Sequence, residues 1–210
     1  MQSFIAFMEK HFLPVAAKIG NQRHLIAIRD AFAYTMPLMI LGAFATLINN
    51  LPIPGYIDLM NSIFSEKLKD GTFIWTKLGG NLWSGTYAVL GVMIAFLVAY
   101  NLAKSYKSAP VAAGSFYAVG GAQGMDSTGL FIALVVAIIS VEIFRRLESN
   151  PHLIVHMPDS VPPAVATSFA ALFPAMITMT IFGLITTFFN AAHVDNLVLA
   201  FYKAVQQPFM

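Results

Sequence analysis

The sequence contains no cysteine and very little charge. The missing cysteine excludes disulfides, thiolate metal sites, cysteine nucleophiles and cysteine phosphoryl carriers. Lys, Arg, Asp and Glu together make up 10% of the residues, against about 25% in soluble domains, and that is too few to cover a water-facing surface. The formal net charge is only +2 and the basic residues are scattered through apolar segments, so nucleic acid is not an expected partner.

Apolar residues take the place of the missing charge. They make up 58% of the chain, and 18 residues are Phe. Disordered chains are poor in aromatic residues and rich in charge, so this composition excludes disorder. Long uncharged stretches separated by short polar segments are typical of an all-α integral membrane protein that crosses the bilayer several times.

Uncharged stretches predict about five transmembrane helices, since about 20 apolar residues span a bilayer. The stretches are 31–48, 78–103, 108–125, 127–141 and 160–192, and the helix of the fourth is expected to continue through Glu142 to about Leu147. The third is Gly-rich and is expected to be short or broken. In the last, a helix from about Pro163 to Asn190 is expected to kink at Pro174, as the first is at Pro37. We therefore expect a five-helix transmembrane scaffold between residues 25 and 195.

The two ends of the chain differ from these spans. Residues 1–24 carry apolar side chains at helical spacing, with Glu9, Lys10 and Lys18 between them. This pattern predicts an interfacial amphipathic helix that lies on the membrane. Residues 196–210 form a second, short amphipathic tail, which we expect to lead into a second half absent from this sequence.

The distribution of Lys and Arg predicts the orientation, because cytoplasmic loops carry more of these residues. With five spans, one side carries most of them, namely Lys10, Lys18, Arg23, Arg29, Lys104, Lys107, Arg145 and Arg146. The other side carries Lys67, Lys69, Lys77 and Lys203, the first three accompanied by acidic residues. We therefore expect a multi-pass membrane protein with a cytoplasmic N-terminus.

Small residues recur at four-residue spacing on two of the spans. The candidates for close helix packing in the second span are Gly91, Ala95, Ala99 and Ala103. A similar row in the last span consists of Thr167, Ala171 and Ala175, with Gly183 two further turns on. Such rows let helix backbones approach within one chain or between chains. Because Ala and Gly are also frequent in membrane helices in general, the composition alone leaves a row without any special role open.

Ionisable residues within apolar stretches are candidates for function because they are costly there. Glu142 lies in the fourth span, but Arg145 and Arg146 follow it at three and four residues, which favours a structural ion pair. Asp30 beside Arg29 is interpreted in the same way.

A second constellation has the spacing of metal ligands on a helix. His152 and His156 lie four residues apart, with Glu148 four residues before them. Asn150 and Pro151 would interrupt that helix, so no metal site is expected. The common hydrolase, phosphate-binding and dinucleotide-binding motifs are also missing, and we expect neither catalytic residues nor a cofactor in this chain.

Several stretches resemble one known family in the expected order. They are residues 10–43 (KHFLPVAAKIGNQRHLIAIRDAFAYTMPLMILGA), 51–56 (LPIPGY), 127–147 (STGLFIALVVAIISVEIFRRL) and 157–174 (MPDSVPPAVATSFAALFP). The chain resembles the membrane permease component (component C, or IIC) of the lactose/cellobiose family in the bacterial sugar phosphotransferase system. The last stretch is highly specific for that family.

The resemblance implies a permease of the bacterial cytoplasmic membrane that carries a disaccharide inward and holds it for phosphorylation by a soluble B component. Cellobiose, chitobiose or a related β-linked disaccharide is favoured over lactose. Family members are about twice as long, and their sugar-binding residues lie in the second half, so no sugar-site residue can be assigned here. The first half forms most of the family's homodimer interface, which implies that this chain is an N-terminal, dimerising scaffold half.

Two alternatives remain open from the sequence. The chain could be a membrane interaction module with no transport of its own, which pairs with a full-length permease or another partner. It could also be an intramembrane enzyme that uses Glu142 or the pair His152 and His156, although no other catalytic constellation accompanies them.

Overall fold

The structure is a computed structural model that describes residues 7–106, 125, 127–155, 158, 166, 169–192, 194 and 196–206. These residues form helices and their connections, and the β structure among them is an isolated bridge between Lys67 and Phe73. The all-α class predicted from the sequence is therefore confirmed.

Eight α-helices follow one another in the described part of the chain. They are α1 Leu13–Gly20, α2 Arg23–Asn49, α3 Tyr56–Ile63, α4 Thr76–Ser84, α5 Leu90–Tyr106, α6 Leu130–Glu148, α7 Leu172–Ala191 and α8 Leu197–Phe201. Short 3₁₀ or π turns adjoin them at Met8–Phe12, Tyr87–Val89, Ser127–Gly129, Pro151–Leu153 and Tyr202–Gln206.

Four helical segments are long and apolar enough to cross a membrane. They are Arg23–Asn49, Thr76–Tyr106, Ser127–Glu148 and Leu172–Ala191. Each coincides with one of the predicted uncharged stretches. The predicted span 108–125 lies outside the described residues except for Met125, and so does the predicted helix start near Pro163.

The second spanning segment is divided into α4 and α5, although residues 78–103 carry no charge. Thr86 has φ −124° and ψ −84°, outside the helical region, and a 3₁₀ turn at Tyr87–Val89 follows it. The Thr86 hydroxyl donates to the carbonyl of Leu82 at 2.7 Å. Threonine hydroxyls compete in this way with helical hydrogen bonds, and Gly85 has low helix propensity, so the break arises locally.

The core of the molecule is formed by α5, which packs between α2 and α6. The end of α5 meets the end of α6, where Arg145 lies over the ring of Tyr106. The start of α5 meets the start of α6, where the amide of Gly91 donates to the carbonyl of Met125 at 2.7 Å. The two helices therefore run parallel. We call the end of the bundle that contains Tyr106 the basic end.

The helix α1 packs only weakly on the rest of the molecule. None of its residues is buried, and its apolar side chains Leu13, Val15 and Ile19 are each more than half exposed. An amphipathic helix with an uncovered apolar side can lie in the surface layer of a bilayer. The interfacial position of residues 1–24 remains a prediction.

Candidate functional site: the basic end of the bundle and the small-residue core

The predicted packing row on α5 lies in the interior of the chain. Gly91, Ala95, Ala99 and Ala103 are all buried in the core shared with α2 and α6. A second row beside it consists of the larger residues Leu90, Ile94, Val98 and Leu102, which are also buried. Because the chain's own helices cover the small residues, a contact between two copies has to use other surfaces.

The buried side of α2 is also built from small residues. Its buried residues are Ala27, Ala31, Thr35, Gly42 and Ala45. Small side chains on both helices let the backbones come close, and close packing is the main source of attraction between helices in lipid. This row was not predicted from the sequence, although Ala27, Ala31 and Thr35 have the same four-residue spacing as the row on α5.

Helix α2 approaches the turn before α5 closely at Gly42. A Cβ atom at this position would lie 2.5 Å from the ring of Tyr87 and 2.8 Å from the hydroxyl of Thr86. Only glycine leaves room for the turn that joins α4 to α5. Near the same end of the bundle, the amide of Asn49 donates to the carbonyl of Thr76 at 2.9 Å and links α2 to α4.

The predicted row on the last span differs from the edge that α7 buries. Ala171 is buried, but the buried edge continues through Pro174, Thr178 and Phe182. Ala175 is only partly buried, and a Cβ atom at Gly183 would meet nothing within 4 Å. Thr167 lies outside the described residues.

At the basic end, Glu142 of α6 forms the predicted ion pair. Arg145 Nη2 donates to Glu142 Oε2 at 3.0 Å. From the start of α2, His24 Nε2 approaches the other carboxylate oxygen at 3.4 Å. This carboxylate therefore connects two helices that are far apart in the sequence. The pair of Arg29 with Asp30 is also present, at 2.8 Å.

Aromatic stacking completes this polar cluster. The guanidinium carbons of Arg23 and Arg145 lie 5.2 Å and 4.4 Å from the centre of the Tyr106 ring. Cations at these distances are attracted to the face of an aromatic ring. Tyr106 thus joins the start of α2 to the ends of α5 and α6, and Arg23, His24, Tyr106, Glu142 and Arg145 form one cluster.

The chemistry of the cluster is suited to holding the three helices together. Its carboxylate is held by an arginine, which is always protonated and cannot take up a proton in a reaction. Among the described residues no group of three His, Cys, Asp or Glu side chains could hold a metal ion. Helix α6 ends at Glu148, and His152 lies in a 3₁₀ turn after it, with its backbone amide bonded to Asn150. His156 lies outside the described residues.

A cleft of about 410 Å³ opens beside the cluster, between α2 and α5. Its described lining consists of Arg23, Ile26, Ala27, Asp30, Tyr34, Asn101, Lys104 and Ser105. The side-chain amide nitrogen of Asn101 is buried and has no hydrogen-bond partner within the described ranges. The cleft therefore has the cations Arg23 and Lys104 at the basic end, while Ile26 and Ala27 give the α2 side an apolar part between Arg23 and Asp30.

Most of the chain matches a known protein family. The model of the family described as "Phosphotransferase system, EIIC" matches residues 29–207. The chain is 35% identical over 207 residues to the cellobiose-specific EIIC component of the phosphotransferase system of Geobacillus stearothermophilus, an alignment that includes 86% of this chain and 44% of that protein.

Two relatives from Bacillus subtilis (strain 168) are of similar kind. The lichenan permease IIC component is 35% identical over 193 residues, with 80% of this chain and 41% of the relative aligned. The oligo-beta-mannoside-specific EIIC component is 30% identical over 224 residues, with 97% of this chain and 48% of the relative aligned. The chain thus spans about half the length of the relatives that it matches.

A solved structure has the same fold. The chain superimposes on the crystal structure of ChbC, the IIC component of the N,N'-diacetylchitobiose-specific phosphotransferase system, with a TM-score of 0.83 and 35% sequence identity. The superposition includes 97% of this chain and 51% of that chain. The described helices therefore follow about half of a known membrane transporter.

Proposed function

Because the chain belongs to the EIIC family of the phosphotransferase system, we propose that it forms the N-terminal scaffold half of a permease that imports a β-linked disaccharide such as cellobiose or chitobiose. The names of the relatives support this substrate class: cellobiose, lichenan and an oligo-beta-mannoside appear in three of them, and diacetylchitobiose in the solved structure. In this proposal residues 25–195 are the scaffold, residues 1–24 lie at the membrane surface, and residues 196–210 connect to the second half of the permease.

The observation that carries the scaffold role is the contrast between a closely packed interior and bare apolar outer faces. On α2 the exposed apolar side chains include Met36, Ile40 and Phe44, each more than half exposed. On α7 Phe188 is 71% exposed. In a membrane these faces are covered by lipid or by further protein, as expected for a platform on which a transport unit is built.

The partners follow from the family. A soluble B component supplies the phosphoryl group to the sugar, and two relatives named as lactose-specific EIICB components carry the two parts under one name. We propose that the basic end faces the cytoplasm, where that component works. Arg23, Lys104 and Arg145 all belong to this end, in agreement with the preference of Lys and Arg for the cytoplasmic side.

We also propose that the chain forms a homodimer through its outer faces. The small residues of α5 are covered within one chain, so we place the contact on the exposed apolar side of α2 or α7. The large apolar side chains of these faces offer more contact area than a single row of alanines.

The experiment is a chimaera in which this chain replaces the aligned part of the cellobiose-specific component from Geobacillus stearothermophilus. The chimaera should restore uptake of labelled cellobiose in cells that lack their own permease. The purified chain alone should bind none of a panel of β-disaccharides. A chimaera that reaches the membrane and folds, yet takes up no sugar, contradicts the scaffold role, and micromolar sugar binding by the chain alone contradicts its separation from the sugar site.

The second candidate is a membrane interaction module without transport, which the same exposed faces favour. This version predicts that the chain copurifies with a separate full-length permease. It also predicts that the chimaera fails to transport.

A further inference from the structure

The cleft between α2 and α5 carries positive charge that the described residues do not neutralise. Arg23 and Lys104 line it, and neither forms an ion pair with a described residue. Arg23 contacts the face of Tyr106 and keeps its guanidinium donors for other partners. The acidic residue in the lining, Asp30, is held by Arg29 through bonds of 2.8 Å and 2.9 Å.

Other ionisable groups around the cleft do not neutralise the positive charge of Arg23 and Lys104. The nearby carboxylate of Glu142 is bonded to Arg145 and approached by His24, so it is not available to either cation of the cleft. Asn101 adds a buried side-chain amide nitrogen that finds no acceptor in the part of the chain that the structure describes. The cleft thus offers two cations and an amide donor. A complementary ligand carries negative charge and several acceptor oxygens.

The position of the cleft in the bundle indicates what carries that charge. Arg23 begins one membrane-spanning segment, and Lys104 lies in the last turn of another. Ile26 and Tyr34 continue the lining along α2, and Tyr34 is about 17 Å further along the helix axis than Arg23 at 1.5 Å per residue. A ligand that fits has a charged head at the membrane surface and a hydrocarbon portion alongside the helix.

We propose that this cleft binds an anionic phospholipid, with the headgroup phosphate between Arg23 and Lys104 and an acyl chain along the exposed side of α2. Basic pockets between transmembrane helices are known sites for anionic headgroups. A zwitterionic lipid fits less well, because its cationic group would add positive charge where two cations are already present. The proposal does not depend on the sugar that the permease carries.

The test is titration of the purified, detergent-solubilised chain with dioleoyl phosphatidylglycerol, followed by native mass spectrometry. Dioleoyl phosphatidylcholine and inorganic phosphate are the comparison ligands. The anionic lipid should bind more tightly than the zwitterionic lipid, and inorganic phosphate should neither bind nor compete. The variant Lys104→Gln should weaken binding of the anionic lipid about fivefold, the loss expected for one cation near a membrane surface.

Two further variants distinguish binding in the cleft from non-specific attraction of the anionic lipid to the positively charged basic end. Arg146→Gln makes the same charge change at the basic end without altering the cleft lining, and it should leave the affinity unchanged. Lys104→Arg keeps the charge and should retain binding. Lys104 is exposed, so these changes should leave the fold intact, which the melting temperature checks.

Three outcomes would overturn the proposal. One is equal affinity for both lipids. Another is an equal loss of affinity in Lys104→Gln and Arg146→Gln. The third is binding of inorganic phosphate at millimolar concentration, or its competition with the anionic lipid, which would assign the cleft to a soluble anion.

Discussion

The close approach of α2 to the turn before α5 gives a sharp test of how the bundle is packed. In the variant Gly42→Ala the new methyl group would lie 2.5 Å from two ring carbons of Tyr87. Carbon atoms in good contact are about 3.5–4.0 Å apart, so the ring or the helix has to move by about 1 Å. Overpacking of this kind costs about 1–3 kcal/mol of unfolding free energy.

A matched control separates this clash from helix propensity. Replacing glycine by alanine inside a helix stabilises it by up to about 1 kcal/mol. At Gly183 in α7 a Cβ atom meets nothing within 4 Å, so Gly183→Ala should show this gain alone. The difference between the two variants therefore reports the clash.

The assay is thermal unfolding in detergent, followed by the fluorescence of the two tryptophans. For a chain of this size 1 kcal/mol moves Tm by about 2–4 °C, so Gly42→Ala should melt several degrees below Gly183→Ala. Removing the ring in Tyr87→Ala should relieve most of the penalty of Gly42→Ala, and a double-mutant cycle measures that coupling. Equal Tm values for the two alanine variants, or strictly additive effects in the cycle, would refute the contact.

Three further predictions concern other parts of the chain. Gly79→Ala should lower Tm, because a Cβ atom there would overlap an asparagine side chain of α2, whereas Gly80→Ala next to it meets nothing within 4 Å and should not lower Tm. Glu142→Gln should destabilise the chain by about 1–2 kcal/mol, because it leaves a partly exposed arginine without its carboxylate, and an unchanged Tm would show that the ion pair is dispensable. Since the chain has no cysteine, Lys18→Cys and Lys69→Cys can be labelled without background; with a cytoplasmic N-terminus, an impermeant maleimide should label only Lys69→Cys in intact cells, and the reverse pattern would contradict the proposed orientation.

Local sequence patterns predicted the features that depend on residues close in the sequence, namely the membrane spans and one ion pair. Uncharged length alone located the four described spans, because burial in lipid forbids charge over that length. The pair of Glu142 with Arg145 followed from its spacing of three residues, which places both side chains on one side of a helix.

What the sequence did not predict depends on contacts between distant segments. His24 and Tyr106 join the cluster at Glu142 from two other helices, and no spacing rule relates them. The break at Thr86 was missed because an uncharged stretch looks the same with or without a turn. On α7 the buried edge follows Thr178 and Phe182, since the neighbouring helices and not the size of the side chains decide which side turns inward.

The small buried residues of α2 and α5 have a consequence for how this protein can vary. In a core of Leu and Phe the common damaging change is truncation, which leaves a cavity. At Ala31 and Ala103, both fully buried, truncation to glycine removes a single methyl group, and every other replacement adds volume. Random substitution at these buried positions therefore acts almost entirely in one direction, towards forcing neighbouring helices apart. Tolerance should follow side-chain volume more closely than polarity, so that serine is accepted where leucine is not.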